Sequence, residues 1–488
     1  MASLVHAYPV PAVTDGLWSA SRRALTLGLV LTITLVAFEA LAVSTVMPVV
    51  AAELDGLALY GWVFSAFFLA NLVGIVVVGI AIDRGGLIRP FVVGLGLFGV
   101  GLAIGGLAPS MPVLIGGRFL QGFGAGAVAP VAYVAIGRSL PEDLRPRMFA
   151  TLSTAWVLPG VIGPAIAGIV AQAWTWRAVF LGLIPLILVS GTLAVIGLRR
   201  VPAVDPVEAS AEHAVAVDSS RRLPRAILLS LGAGMVLAGL SNPEPLVTVG
   251  LVIVGLVLAV PAFGSLVPAG TLRAQGRMPS AVLLRGLSTF AFFSVDAYVA
   301  LLLVDWRGAS PTAAGIALTA ATVSWTAGSW IQARGMARYG PARFVGIGMA
   351  IVAAGIAATA LVLLPSIPIA WAVPSFALAG FGMGLAYSAF TLVVLSEAAV
   401  GAEGTAAAGL QLSDTLGTAL GTGIAGAIVA AAIRAGQASA AGIGVSMAMG
   451  ASVAVVAVLL SPRLRRRASA AERLVEAGSG DEAAVALR

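Results

Sequence analysis

The sequence predicts an all-α integral membrane protein of fourteen transmembrane helices, arranged as two pseudo-symmetric six-helix bundles with two further helices inserted between them. Three observations predict it. The 488 residues are 59% hydrophobic and 10% charged, with a mean hydropathy of +1.03, which is too apolar for a water-soluble fold. The apolar residues fall in stretches of roughly 20, the length that crosses a bilayer. The stretches also repeat. Arg84-Gly85-Gly86-Leu87-Ile88-Arg89 is echoed 254 positions later by Arg338-Tyr339-Gly340-Pro341-Ala342-Arg343, and Gly122-Phe123-Gly124-Ala125-Gly126 recurs 258 positions later as Gly380-Phe381-Gly382-Met383-Gly384. Phe38-Glu39-Ala40 faces Val295-Asp296-Ala297 at an offset of 257. Such parallel repeats place a substrate site at their interface near the midplane.

The expected spans are about 25–48, 58–82, 91–108, 113–136, 148–171, 178–198, 226–241, 246–267, 280–304, 312–333, 342–364, 370–396, 405–432 and 440–460. The seventh is short and ends in the turn sequence Ser241-Asn242-Pro243-Glu244-Pro245. Residues 1–24 read as a polar N-terminal segment. Residues 25–198 read as the first bundle, 199–224 as a charged linker, 225–268 as the inserted pair, 280–460 as the second bundle and 461–488 as a basic tail. Met1 to Arg23 is not a secretory leader, because it carries Asp15 and delays Arg22-Arg23 until just before a stretch too long for a signal core, so the first helix is expected to be an anchor.

Arginine placement gives the orientation. Most of the 28 basic residues, all of them Arg, fall in alternate turns and in the linker and tail, whereas the opposite side holds essentially Arg177, Arg307 and Arg434. Both termini are therefore expected in the cytoplasm and the protein in the cell membrane. The net charge of +7 is a topology signal and not a nucleic-acid footprint. Arg463-Leu464-Arg465-Arg466-Arg467 should bind anionic headgroups.

Several chemistries are excluded. The chain has no Cys, and its two His, His6 and His213, lie in polar flanking segments, so no disulfide, thiolate metal site or intramembrane His relay is available. No nucleophile motif or nucleotide loop is visible. An enzyme, a cofactor and a metal site are not expected; the partners are a small-molecule substrate, protons and the bilayer, and the protein is expected to be a monomer.

The functional residues should be the charges stranded inside the spans, since a carboxylate in hydrocarbon costs about 2.5–3.5 kcal/mol even on insertion scales. Glu39 lies about 21 Å along the first helix, beyond snorkelling reach. Asp296 has a similar depth by pseudosymmetry, and Asp414 is about ten residues into its span. Desolvation favours the neutral form of a carboxyl, which lets it take and lose a proton as a proton-coupled carrier requires. Arg118, with Gln121 beside it, faces the bundle and can tune a carboxylate. Arg285, near the start of its helix, is expected to snorkel. Three acids against one buried Arg would make the cavity negative and favour cations. Trp62, Phe67, Phe68, Trp156, Phe292, Phe293, Trp325, Trp330 and Tyr387 are candidates for an apolar lining, and Glu397 and Glu403 flank a solvated turn.

Gly79-Ile80-Ala81-Ile82-Asp83-Arg84-Gly85-Gly86-Leu87-Ile88-Arg89 resembles the loop signature of the major facilitator superfamily, and Arg118-Phe119-Leu120-Gln121-Gly122-Phe123-Gly124-Ala125-Gly126 is similar to its helix-4 motif. Gly160-Val161-Ile162-Gly163-Pro164-Ala165-Ile166-Ala167-Gly168 looks like the antiporter motif, with Ala167 where Gly is usual. Trp174-Thr175-Trp176-Arg177 and Gln411-Leu412-Ser413-Asp414-Thr415-Leu416-Gly417 resemble stretches of the fourteen-helix drug:H⁺ antiporter group, over about residues 25–460. Glu39 stands where that group usually has Asp. The resemblance implies proton coupling through Arg118. It also implies gating at Asp83, Arg84, Arg89, Arg338 and Arg343, and a sealing helix face at Gly160, Gly163, Pro164 and Gly168, with Pro164 bending the helix. The expected function is a proton-driven exporter of amphipathic, cationic compounds. The alternatives are an exporter of an endogenous metabolite or lipid, a proton symporter, or a transport-dead sensor or scaffold.

Overall fold

A computed structural model describes residues 16–141, 144–201, 206–398 and 403–465, and among them every regular element is helical. Helix is what lipid demands, because a spanning segment must satisfy its backbone hydrogen bonds internally. Side-chain hydroxyls follow the same rule by bonding back one turn, as Thr32 does to the Gly28 carbonyl at 2.7 Å and Thr359 to the Gly355 carbonyl at 2.8 Å.

The elements of the first half are α1 (Arg23–Glu53), α2 (Tyr60–Gly85), α3 (Ile88–Gly106), α4 (Met111–Ala125), α5 (Val128–Ser139), α6 (Arg145–Thr154), α7 (Val157–Ala173), α8 (Trp176–Leu181) and α9 (Leu183–Leu198). Then come α10 (Pro206–Leu240) and α11 (Pro245–Leu266). The second half holds α12 (Arg277–Leu301), α13 (Pro311–Ala360), α14 (Ala372–Glu397), α15 (Glu403–Arg434) and α16 (Ser439–Leu460). Twelve stretches among the described residues are long and apolar enough to span a membrane.

Twelve differs from the expected fourteen at two places, each with a local cause. The expected fifth span is divided: α6 and α7 are separated at Ala155–Trp156, which leaves α7 at 17 residues. That break, ahead of Pro159, interrupts the segment, whereas Pro164 sits inside α7. The expected tenth and eleventh spans form one continuous element, α13, whose 50 residues would reach about 75 Å if straight. It is not straight, because Gly340 leaves the helical region at φ 72°, ψ 164°, and Pro341 follows it. Gly328 and Gly348 pack on Phe381 and Gly382, which are sequence neighbours, so the two limbs fold back against α14 as a hairpin.

The sequence echoes reappear as repeated packing. Gly124 lies against Gly94 and Phe98, and Gly382 lies against Gly348 and Val352, at the offsets of 258 and 254 seen in the sequence. Gly126 on Ile75 is matched by Gly384 on Ser329 in the same way. None of these glycines has room for a Cβ, so the helices approach backbone to backbone, as in small-residue membrane packing. The helix α10 leans on both halves: Ser230 donates to the Leu69 carbonyl of α2 at 2.8 Å, and Leu237 fills the space beside Gly423 of α15.

Contacts between the halves gather at the end that carries the α1–α2 turn. Tyr60 donates to the Ala297 carbonyl at 2.9 Å, Ser65 to the Ala419 carbonyl at 3.0 Å, and Thr312 to Gln172 Oε1 at 2.9 Å. A Cβ on Gly61 would lie 2.7 Å from the Cα of Gly426, and one on Gly315 would lie 2.5 Å from the Pro164 carbonyl oxygen. This end is closed.

Candidate functional site

Glu39 and Arg118 form an ion pair with side chains 1% and 2% exposed. Arg118 and Gln121, three positions apart on α4, share a helix face, and both reach Glu39 Oε1, with Gln121 Nε2 at 3.2 Å. Arg118 also donates from Nε to the Val63 carbonyl at 3.2 Å and to Gln121 Oε1 at 3.2 Å, and its guanidinium lies 4.4 Å from the Phe67 ring centroid. Bundle-facing Arg118, expected from the neighbouring Gln121, is what the geometry has. Glu39 Oε2 is buried and has no hydrogen-bond partner among the described residues.

A second ion pair lies in the other half, and it corrects the expectation that Arg285 snorkels. Arg285 is 5% exposed and donates from Nε to Asp414 Oδ1 at 2.6 Å and from Nη1 to the Tyr387 carbonyl at 2.8 Å. Tyr387 Oη sits 3.3 Å from Asp414 Oδ2, and Thr289 donates to the Asp414 backbone carbonyl at 3.1 Å. Burial is tolerated because a carboxylate 129 positions away completes the pair, a fact that helix position alone does not reveal. The charge of the buried set changes with it. Three carboxylates face two guanidiniums rather than one, which leaves a single net negative charge when all are ionised.

The unpaired acid is Asp296, 9% exposed and without a hydrogen bond or ion pair among the described residues. It lies in the electrostatic reach of Tyr60, whose ring is 5.3 Å from that of Tyr298, while Tyr298 donates to the Thr422 carbonyl at 2.8 Å. The acids therefore occupy two levels. Measured from the helix starts, at the end opposite the α1–α2 turn, Arg285 and Asp414 lie about 12 and 16 Å along their helices, and Glu39 and Asp296 about 24 and 28 Å.

The repeat explains why Asp296 lacks a partner. At the offset that relates Gly122 to Gly380, Arg118 corresponds to Phe376, which stacks on Phe292 with centroids 5.4 Å apart and planes 15° apart. Where one half holds a guanidinium, the other holds rings. Of the expected aromatic lining, Phe67 lies beneath Arg118, and Phe292, Phe293, Trp325 and Tyr387 form this cluster. Trp156 and Trp330 are instead 50% and 63% exposed and stand outside this cluster.

The antiporter-like glycines do not form a single face. Gly160 meets Thr322 and Gly168 meets Pro311 and Thr312, both on α13, whereas Gly163 meets Phe38 of α1. Arg89, Arg338 and Arg343 are exposed, with Arg338 placed 5.2 Å over the Tyr339 ring. The side chains of Asp83 and Arg84 lie outside the described residues, as do His6, the side chain of His213, Arg466 and Arg467. Arg463 is described, and it bonds the carbonyls of Arg273 and Ala274. Sequence reasoning missed the partners of Arg177, which pairs with Glu53 beside Trp176, and Trp176 Nε1 donates to Glu53 Oε2 at 2.8 Å. It also missed Tyr60 and Tyr298, whose aromatic character gave no signal distinct from packing.

Comparison with known proteins agrees with this architecture. A family model described as Major Facilitator Superfamily matches residues 29–422. A "Probable multidrug-efflux transporter" of Mycobacterium tuberculosis is 27% identical over 441 residues, covering 87% of this chain and 91% of that protein. "Multidrug resistance protein 3" of Bacillus subtilis is 32% identical over 161 residues, 33% of this chain and 31% of that protein. Among solved structures, a bacterial homolog of the human lysosomal transporter Spinster superposes with a TM-score of 0.66 at 17% identity, covering 91% of this chain and 98% of that one. A family match over residues 29–422, with the recurrent helix packing described above, means that the chain belongs to the Major Facilitator Superfamily.

Proposed function

We propose that this protein is a proton-coupled antiporter of the cell membrane, a carrier rather than an enzyme, that exports amphipathic cationic organic compounds by alternating access. The observation that carries the reading is the state of Glu39. Its Oε1 is shared by Arg118 and Gln121 while its Oε2 stays buried and unpartnered, so one oxygen is anchored and the other is free to hold a proton. The net negative charge of the buried set supports a cationic substrate, and the multidrug-efflux names of the relatives support export. The gating role of Asp83, Arg84, Arg89, Arg338 and Arg343 belongs to the same reading. In this reading they would pair across the two halves when the end opposite the α1–α2 turn closes.

The test is reconstitution in proteoliposomes carrying an internal pH dye. Addition of a lipophilic cation should drive protons against the direction of substrate movement, and proton flow in the same direction as substrate would replace antiport by symport. No proton movement with any of a panel of cationic and neutral compounds would remove proton coupling.

The reading also takes the α13 hairpin as two spans and α6–α7 as one, giving fourteen helices. Residues 25–198 and 280–460 are then two six-helix bundles, 225–268 the inserted pair, and both termini cytoplasmic. The absence of native Cys makes orientation directly measurable. A Cys in place of Val215 should react with an impermeant maleimide only after the membrane is opened, and one in place of Ala309 should react in intact cells. The reverse pattern would invert the topology.

A further inference from the structure

The guanidinium of Arg285 lies over the Tyr387 ring, 3.1 Å from its centroid, while its Nε holds Asp414 Oδ1. A ring face next to a carboxylate is what a protein offers an organic cation. Here the offer is taken up by the protein's own side chain. The aromatic wall continues beyond Tyr387, with the Trp325 centroid 5.1 Å away at 68° and Phe292 5.4 Å from Trp325. Trp325 and Tyr387 are only half-buried, so part of the wall is accessible. Substrate entering from the end opposite the α1–α2 turn would meet this level before it meets Glu39.

We infer that Arg285 is a tethered occupant of a cation site built from Asp414, Tyr387 and Trp325, and that a lipophilic aromatic cation binds by displacing it. The displaced side chain starts about 12 Å from the end of α12, near enough for its long stem to carry the charge toward the interface. The exchange keeps Asp414 paired in both states, first by Arg285 and then by substrate, so no bare carboxylate is left in a dry site. It also divides labour between the repeats. The half with Arg118 holds a closed polar triad around Glu39, and the half with Phe376 in the corresponding place offers rings to the substrate.

This inference rests on the export reading only for the class of ligand. Equilibrium binding in detergent, with no gradient, tests it separately from proton coupling. The probe is tetraphenylphosphonium, with neutral triphenylphosphine oxide as the control. Arg285→Gln removes the competitor and should tighten tetraphenylphosphonium binding about tenfold, which is the scale of a single lost competing charge. Binding of triphenylphosphine oxide should not tighten in parallel. Asp414→Asn and Tyr387→Leu should each weaken the cation. If Arg285→Gln does not fold, Arg285→Lys keeps the ion pair while giving up the flat stacking group, and should still tighten binding, by about threefold. Unchanged or weaker cation binding by the folded Arg285 variant overturns the proposal, as does equal tightening of the neutral compound, which would mean a loosened pocket rather than a vacated one.

Discussion

Glu39→Gln protein is expected to insert and retain its fold, and to release no protons when a lipophilic cation is added. Gln keeps the length of the side chain and an oxygen for Arg118 and Gln121, but it cannot ionise. The substitution has a structural cost that the sequence alone would not suggest. Arg118 is 2% exposed, and breaking a buried pair by removing one charge costs about 3–5 kcal/mol. Part of that is offset, because the guanidinium keeps the Val63 carbonyl, Gln121 Oε1 and the Phe67 ring. A lowered melting temperature in detergent is therefore expected alongside lost coupling. The double variant Glu39→Gln/Arg118→Gln separates the two effects, since it removes both charges and should recover stability without recovering proton release. Wild-type proton release from either folded variant would move the coupling role to Asp414 or Asp296.

Legibility in the sequence followed the physics of each feature. Helix positions could be read because apolar runs of membrane length have few other uses; the offset of 258 could be read because glycines at helix contacts tolerate no side chain, and that of 254 because the Arg-bearing turns recur. The hairpin in α13 was visible as Gly340-Pro341, although one non-helical residue makes it far tighter than the turn from 334 to 341 that was expected. The broken fifth span was harder, since Ala155–Trp156 holds neither a Gly nor a Pro to mark the break.

The site divides in the same way. Glu39 was legible because charge at that depth cannot reach water, and Arg118 because Gln121, three positions on, shares its helix face beside a glycine-rich stretch. Arg285 was not, because eight residues from the start of α12 a long side chain has two outcomes, and only the position of Asp414 decides between them. Phe376 was invisible for a different reason: a Phe in an apolar helix signals nothing until the offset places it at the counterpart of Arg118. The single sealing face expected of Gly160, Gly163, Pro164 and Gly168 divided because, at about 100° per residue, Gly163 and Gly168 point about 140° apart around α7, one toward Phe38 of α1 and the other toward Pro311 and Thr312 of α13.

That division sets up the second large effect. Gly315→Val should abolish most export while leaving cation binding in place. A Cβ at Gly315 would sit 2.5 Å from the Pro164 carbonyl oxygen, which is backbone and cannot swing aside. Overpacking of this kind costs about 1–3 kcal/mol. The cost falls only on the conformation in which α7 and α13 touch, so it shifts the equilibrium between conformations rather than unfolding the protein. A bias of that size corresponds to about 5- to 150-fold in population, enough to strand the carrier open at the end that is closed here. Gly163→Ala is the matched control. Its Cβ would meet Phe38 at 3.4 Å, ordinary contact on the α1 side, and export should stay near the wild-type rate. A reporter Cys in place of Thr312 should react with maleimide faster in the Gly315→Val background than in the parent. Normal export by folded Gly315→Val protein, with no gain in reactivity, would mean that the α7–α13 contact is packing shared by all states and not a gate.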